Sequence, residues 1–360
     1  MSEREKLLFL APTFLMYRLH KQIRGVEVFD LLLVRQLVEL GHQVTLIADR
    51  TWRERFEAHL ADAMPDILYT PGLRKLWLNA PFGERLIREQ TFDAIIVGNN
   101  ARGLLPTVKR LIARRASPRV VLIANRPPRP DYAKAARGMA MDVTAVNPAI
   151  ATMFEGVVDG RVETRYGIPN AALFFADASA HPDDGIVRFV MLGRMDTPLK
   201  RAERAIASFA RLPSNVRNVC ELHLASYPTP PRDLPKGVVP YPWMELSEIA
   251  DLLKRMDVFI GLSDHETFCQ AMVQAMLTQL PSIVNTVPAL VEKTERGGGV
   301  VVRDADELDA AITKLATDAP LRASMGRAAR AHALDAYVWN TEQWLREQVF
   351  LTNEPTVLPA

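Results

Sequence analysis

Ten short runs of β-forming residues recur along the chain, with helical patterns between most of them, and this alternation restricts the fold more than any other feature. "LLFLAP", "QVTLIAD", "AIIVGNN", "RVVLIAN" and "DVTAVN" lie in the first half; "VRFVMLG", "CELHLASY", "VFIGLS", "PSIVN" and "GGVVV" lie in the second. Most are apolar at successive positions, the pattern of strands covered on both faces. Between them, segments such as "VFDLLLVRQLVELGH" and "ERAIASFARLP" repeat apolar residues at helical spacing. Strands and helices in this order predict parallel, doubly wound sheets. A chain of 360 residues exceeds one ordinary core, so two domains are expected. Periodicity lapses over "GIPNAALFFADASAHPDDG", residues 167–185, which reads as the interdomain linker. The predicted fold class is α/β, with two Rossmann-like doubly wound parallel-sheet domains facing across a cleft.

Composition narrows the function classes. The chain is 48% hydrophobic and 24% charged, with no apolar run near the roughly 18 residues of a membrane span. "MSEREK" is charged and leads straight into a strand-like run, without the pattern of a signal peptide, so a cytoplasmic protein is expected. Cys220 and Cys269 stand far apart, which argues against a disulfide framework or a cysteine zinc site. The seven histidines form no ligand-spaced set, and no metal or cofactor is expected. "LAPTFLMYRLHKQ" after the first strand lacks the G-x-G-x-x-G turn that a dinucleotide oxidoreductase would need. Net charge of +2 conceals an asymmetry: residues 71–138 carry fourteen Lys and Arg against four acids, +10, so the remainder carries −8. Such a segment suits a phosphate or an anionic surface, or simply solvated helix faces. Within it, residues 102–119 place Leu104, Leu105, Val108, Leu111 and Ile112 on one stripe, with Lys109, Arg110, Arg114 and Arg115 largely off it. Peripheral contact with an anionic membrane at its inner face, or with a phosphorylated acceptor, is the expectation there; no nucleic-acid partner is expected.

Open α/β sheets bind ligands beyond the carboxyl ends of their strands, so strand-end residues are the candidates. In the first half these are Asn99, Asn125 and Arg126. In the second they are Gly193 and Arg194, with Lys200 after a Pro198 turn, and Glu266. Arg194 and Lys200 could clamp a diphosphate, one by a guanidinium fork and the other as a point charge, or could be solvated side chains. Backbone amides of "ETFCQ", read as a helix N-terminus, would supply a second anion site. If Glu266 to Gln274 were helical, their side chains would stand about 12 Å apart along the axis. A glycosidase pair stands about 5 to 9.5 Å apart and Gln274 cannot ionise, so these are not hydrolytic partners. They could anchor two parts of one long ligand such as a nucleotide-sugar, or be a helix-capping Glu and a core Gln.

"FVMLGRMDTPLKRAERAIASF", "LSEIADLLKRMDVFIGLSDHETFCQAMVQAMLTQLPSIVNTVPALVE" and "GGGVVVRDADELDAAITKL" resemble the C-terminal domain of glycosyltransferase family four, also called group one, a retaining family with the GT-B fold. "RGVEVFDLLLVRQLVELGHQVTLIAD" is similar to its acceptor-side loop, first helix and second strand. "RYGIPNAALF" resembles its crossover, and "YVWNTEQWLREQVF" its closing helix. The resemblance implies an acceptor-side domain 1–170, a nucleotide-sugar-binding domain 171–335, and a helix 336–360 returning to the first domain. It implies that Arg194 and Lys200 hold the donor diphosphate and that Glu266 contacts the transferred sugar. Thr267, Phe268 and Cys269 would present amides to sugar and phosphate. Gly25 would allow close approach of a phosphate, and Trp243 would lie near the base. Where the family has a second Glu for the ribose hydroxyls, this chain has Gln274. The family's first-domain His has no counterpart, and Asn125 or Arg126 occupies that neighbourhood. The implied activity is transfer from a nucleotide-diphosphate sugar to a glycan, lipid-linked or small-molecule acceptor, as in cell-surface polysaccharide synthesis. A catalytically silent nucleotide-sugar binder or a GT-B epimerase remains the alternative.

Overall fold

A computed structural model describes residues 4–15, 25–60, 62–71, 84–85, 87, 89–98, 104–113, 118–169, 171–195, 197–227 and 229–350. Two compact units are present: Met1–Asn170 with Trp339–Ala360, and Ala171–Val338.

The first unit is built on a seven-stranded sheet, all of whose pairings are parallel. Its strands are β1 (Lys6–Leu10), β2 (Gln43–Asp49), β3 (Asp66–Thr70), β4 (Ala94–Val97), β5 (Arg119–Ala124), β6 (Asp142–Ala145) and β7 (Val162–Thr164), in the order β3-β2-β1-β4-β5-β6-β7. The chain winds outward from β1 to β3, returns to β4 and winds out the other way. The reversal therefore falls between the carboxyl ends of β1 and β4, where such sheets leave a crevice. The helix Gly25–Glu39 buries Phe29 through Val34 and Leu37, because a parallel sheet must be covered on both faces. Residues 339–350 complete this unit. Trp344 is fully buried, its indole donates to Thr144 Oγ1 at 2.9 Å, and the Thr144 hydroxyl donates to Gln348 Oε1 at 2.6 Å.

In the helix Leu105–Ala113 the apolar stripe faces the core: Leu104, Leu105, Val108 and Leu111 are buried there and Ile112 packs against it. Lys109 donates to the Arg137 carbonyl at 2.7 Å, and Arg110 pairs with Glu84 at 2.7 Å. Covering the sheet consumes the stripe, so this helix keeps no apolar face for a bilayer. Among the described residues no helix is long and apolar enough to cross a membrane.

The second unit carries a six-stranded parallel sheet of β8 (Val187–Leu192), β9 (Cys220–Ala225), β10 (Val238–Pro240), β11 (Val258–Gly261), β12 (Ser282–Val284) and β13 (Gly299–Val301). Its order is β10-β9-β8-β11-β12-β13, so the reversal lies between β8 and β11. The helix Gln270–Leu277 is sealed in: Met272, Val273, Ala275, Met276 and Leu277 have no exposure. It packs on the helix Ala319–Ala336, and the turn after it approaches so closely that a Cβ on Gly326 would sit 2.2 Å from the Gln279 carbonyl oxygen. Only glycine fits there.

Candidate functional site

Two loops meet at the reversal of the second sheet. One follows β8 and runs from Gly193 to Arg201; the other follows β11 and runs from Leu262 to Cys269. Because β8 and β11 are paired neighbours, their ends leave the sheet side by side. Three contacts lace the loops together. The Asp264 amide donates to the Leu199 carbonyl at 2.9 Å, Arg201 Nε donates to Asp264 Oδ1 at 2.7 Å, and Lys200 Nζ donates to Glu266 Oε1. Arg201 adopts a left-handed backbone at φ 51°, which turns the chain between its neighbours Lys200 and Ala202.

Lys200 and Glu266 are thus one charge-assisted pair. Ser263 Oγ donates to the same Glu266 oxygen at 2.8 Å, and Asn285, beyond β12, donates from Nδ2 to the Ser263 carbonyl at 2.8 Å. A chain of contacts across three adjacent strand ends therefore fixes the carboxylate. Burial disfavours the Lys200 charge, yet the neighbouring sulfur of Cys269 and the carboxylate of Glu266 outweigh it, and the ammonium titrates above its ordinary range. Cys269 itself is pushed up to about 11 by burial first and Glu266 second, so it is a neutral thiol at pH 7. Glu266 is then the partner that matters to the Lys200 ammonium at neutral pH. Gly193, at φ 126°, leaves room for the lysine: a Cβ there would lie 3.0 Å from Lys200 Cε.

The helical geometry expected for Glu266 does not hold. The helix starts at Gln270, and Glu266 through Cys269 form a loop that ends in a left-handed Cys269 at φ 62°. The 12 Å axial spacing to Gln274 consequently does not apply, and Thr267, Phe268 and Cys269 precede the first helical turn. A positive-φ residue must reverse the chain before the helix can dock beneath the sheet, and no periodicity signals that.

Gln274 is 6% exposed, and its side chain makes no hydrogen bond among the described residues. Its carbonyl takes only the helical bonds from Thr278. Trp243 stands in the loop after the edge strand β10, with its indole nitrogen sealed and unpartnered among the described residues. Arg194 is exposed at the end of β8, and its carbonyl accepts from the Thr197 amide and hydroxyl at 3.2 and 2.9 Å. In the first unit Gly25 opens the helix Gly25–Glu39, Arg126 is exposed, and Asn125 has both amide atoms buried without partners. Asn99 lies outside the described residues.

Residues 187–318 match the family model for glycosyl transferases group 1. No curated protein matches the chain. Solved structures match over nearly its whole length. Sucrose-phosphate synthase from Thermosynechococcus elongatus is 15% identical at a TM-score of 0.71, covering 98% of this chain and 100% of its own. Anabaena HepE in complex with UDP-glucose is 18% identical at 0.70, covering 97% and 99%. WaaG, a glycosyltransferase involved in lipopolysaccharide biosynthesis, is 13% identical at 0.64, covering 97% and 100%. The architecture of two parallel-sheet α/β domains is GT-B.

The group 1 segment holds the whole Lys200–Glu266 network, including three residues that the sequence reading passes over. Ser263 and Asn285 orient the carboxylate. Lys293 has no exposure; it donates to the Ala289 carbonyl and Glu292 at 2.8 and 2.7 Å, and its ammonium lies 4.5 Å from the Phe268 ring and 4.7 Å from the Tyr337 ring. The two rings meet edge to face at 6.0 Å. Burial pulls the Lys293 ammonium below its ordinary value, while Glu292 opposes that pull. A cation between aromatic faces pins Phe268, and with it the loop that carries Glu266. Serine and asparagine after apolar strands carry no distinctive sequence signal, and Lys293 reads as a surface residue beside Glu292. Among the described residues, no group of His, Cys, Asp or Glu could hold a metal ion.

Proposed function

We propose that the chain is a retaining glycosyltransferase that moves a sugar from a nucleotide-diphosphate donor to a hydroxyl of a glycan, lipid-linked or small-molecule acceptor, as in surface polysaccharide synthesis. The observation that carries this reading is the Lys200–Glu266 pair, held at the sheet reversal inside the group 1 segment. Lys200 is a cation at neutral pH and would neutralise charge developing on the departing diphosphate. Arg194, exposed on the same loop, would add a fork to the phosphate oxygens. Glu266, fixed by Ser263, would accept hydrogen bonds from hydroxyls of the transferred sugar. Thr267, Phe268, Cys269 and Gly193 would line the donor, Gln274 would meet the ribose through an uncharged amide, and Trp243 would flank the base. The relative HepE was solved in complex with UDP-glucose, which supports a nucleotide-sugar as the donor class.

In the step proposed, the acceptor oxygen bonds to the anomeric carbon as the bond to the diphosphate oxygen breaks. The electron pair leaves with the diphosphate, and the hydroxyl proton passes to a phosphate oxygen on the same face, so configuration is retained. This route needs neither a carboxylate nucleophile nor a metal. Thermal shifts of the full chain across a panel of nucleotide-sugars, followed by a turnover assay with the best binder, test the reading. A donor that raises the melting temperature in wild type but not in Lys200→Ala supports it; absence of any nucleotide-sugar shift overturns it. Gln274 favours one second reading, a binder without turnover, which the same assay separates.

A further inference from the structure

The loop from Leu262 to Cys269 is held at two places, and the Lys200–Glu266 pair accounts for only one of them. The other is Phe268, whose buried ring stands 4.5 Å from the Lys293 ammonium and meets Tyr337 edge to face at 6.0 Å. The same ammonium lies 4.7 Å from the Tyr337 ring, so two aromatic groups share one cation. Lys293 stands in the short turn Glu292–Thr294, whereas Tyr337 caps the carboxyl end of the helix Ala319–Ala336. His332 on that helix is buried and backs the Tyr337 ring at 5.0 Å. The helix is itself fixed, because it packs on the helix Gln270–Leu277 with the close approach at Gly326. One side of the aromatic pair thus belongs to a rigid helix and the other to the loop that carries Glu266, with the cation between them.

Burying an ammonium is costly, and an apolar side chain of similar volume would fill the same space without that cost; what only the cation supplies is attraction to both rings. We propose that Lys293 and Tyr337 are positioning residues, a latch that holds the donor loop by its Phe268 ring for as long as the lysine carries its charge. The latch keeps the amides of Thr267, Phe268 and Cys269 in place without touching a ligand. That these amides serve a nucleotide-sugar rests on the proposed function; the latch itself does not. Burial first draws the Lys293 ammonium below its ordinary value, opposed by Glu292 and, from the loop, by Cys269 and Glu266. On the helix side the titratable neighbours are Tyr337 and His332, and burial and then Arg296 lower the His332 imidazole, so it adds no charge at neutral pH or above. Lys200 moves the opposite way, above its ordinary range. Rising pH therefore discharges Lys293 while Lys200 keeps its proton. The neutral amine still donates to the Ala289 carbonyl but no longer attracts the rings. Donor binding thus acquires an alkaline limit set by a residue outside the donor's reach.

Iodoacetamide labelling of the full chain at pH 8, read by mass spectrometry, tests the hold on the loop without any ligand. Cys269 adjoins Phe268, and Cys220 in β9 is the internal control for global unfolding. In wild type neither thiol should label before the protein unfolds. Lys293→Met and Tyr337→Leu, in protein that melting curves show to be folded, should label Cys269 about tenfold faster than Cys220 or more, the size of a lost cation–π contact in a dry site. Tyr337→Phe, which keeps the ring, should behave as wild type. Equal protection of the two cysteines in both Lys293→Met and Tyr337→Leu overturns the proposal. Titration calorimetry from pH 7.5 to 10, with UDP-glucose or whichever nucleotide-sugar of the panel stabilises wild type most, tests the charge. Wild-type affinity should fall toward pH 10, and Lys293→Arg, whose guanidinium keeps its proton, should lose less; titration of the probe is common to both and cancels. Tyr337→Leu should already bind at pH 7.5 about as weakly as wild type does at pH 10. An alkaline loss that Lys293→Arg reproduces in full, with Tyr337→Leu binding as wild type at pH 7.5, overturns the proposal. Release of Cys269 by Lys293→Met when no nucleotide-sugar binds at any pH supports the latch and removes the nucleotide-sugar reading of the loop.

Discussion

Asp30→Asn is expected to change how stability depends on pH, independently of any ligand. The substitution keeps the shape of the side chain and removes its titration. In the unfolded chain the carboxyl loses its proton near 3.8, whereas in the folded protein burial and the Glu27 charge hold the proton to a much higher pH. Between those values the native state binds more protons than the unfolded state, so stability falls as pH rises. The slope is about 1.4 kcal/mol per pH unit for one full proton. Below about pH 3 both states are protonated and Asp30 adds no pH-dependent cost. From there upward wild type should lose stability relative to Asp30→Asn, at no more than that slope. Arg126 and the Thr13 hydroxyl reduce this without reversing it. Other titrating groups are common to both proteins and cancel in the difference. Urea melts at half-unit steps from pH 4 to 7 would give the two curves, with the buried Trp52, Trp339 and Trp344 of the same unit as fluorescent reporters. Parallel curves across that window would show that Asp30 titrates as an ordinary carboxylate, and the argument from its burial would fail.

Other outcomes follow from the second unit. Lys200→Ala or Glu266→Gln should cut the rate about a hundredfold, roughly 3 kcal/mol of transition-state stabilisation, in protein that melting curves show to be folded; unaltered kinetics would remove both from the site. Lys293→Met leaves the Ala289 carbonyl and Glu292 without their buried cation and unpins Phe268. A loss of about 3 kcal/mol in a denaturant melt, with weakened nucleotide-sugar binding, is the expected result. Gln274→Glu should bind the donor equally or better, with any fall in melting temperature recovered on adding it; a large fall without recovery would make Gln274 a core residue. Cys220 and Cys269 are both pushed up to about 11, chiefly by burial. Iodoacetamide at pH 8 should therefore label them only after unfolding, as mass spectrometry would read directly.

The strands legible in the sequence are those whose burial is dictated locally. Central strands such as β4, "AIIV", and β8, "VRFVML", are covered on both faces, and every residue in them must be compatible with an interior. The α/β class and its parallel sheets follow from that pattern alone. Strands β3, β7 and β10 escape it, and all three are sheet edges: "DILYT", "VET" and "VVP" are short and partly exposed, so their composition is only weakly constrained. Their strand character comes from a neighbour's unpaired hydrogen-bonding groups, which the sequence does not contain.

The same division runs through the site. Lys200 and Glu266 are visible in the sequence because charges after apolar strands stand out, and the strand pattern places them at sheet ends. That β8 and β11 are neighbours, and that Lys200 and Glu266 form one pair, depends on strand order, which joins residues 66 positions apart. Ser263, Asn285 and Lys293 gain their roles through that order, and Glu266 leaves the helix expected for it because Cys269 turns the chain first. Asp30 lies between the two cases. The sequence shows an acid inside "VFDLLLV", but only packing against Gly98 determines that the acid is sealed, since desolvation depends on what surrounds a carboxyl in space. Periodicity along the chain fixed which faces had to be buried; the pairing of distant strands decided which polar groups those faces brought together.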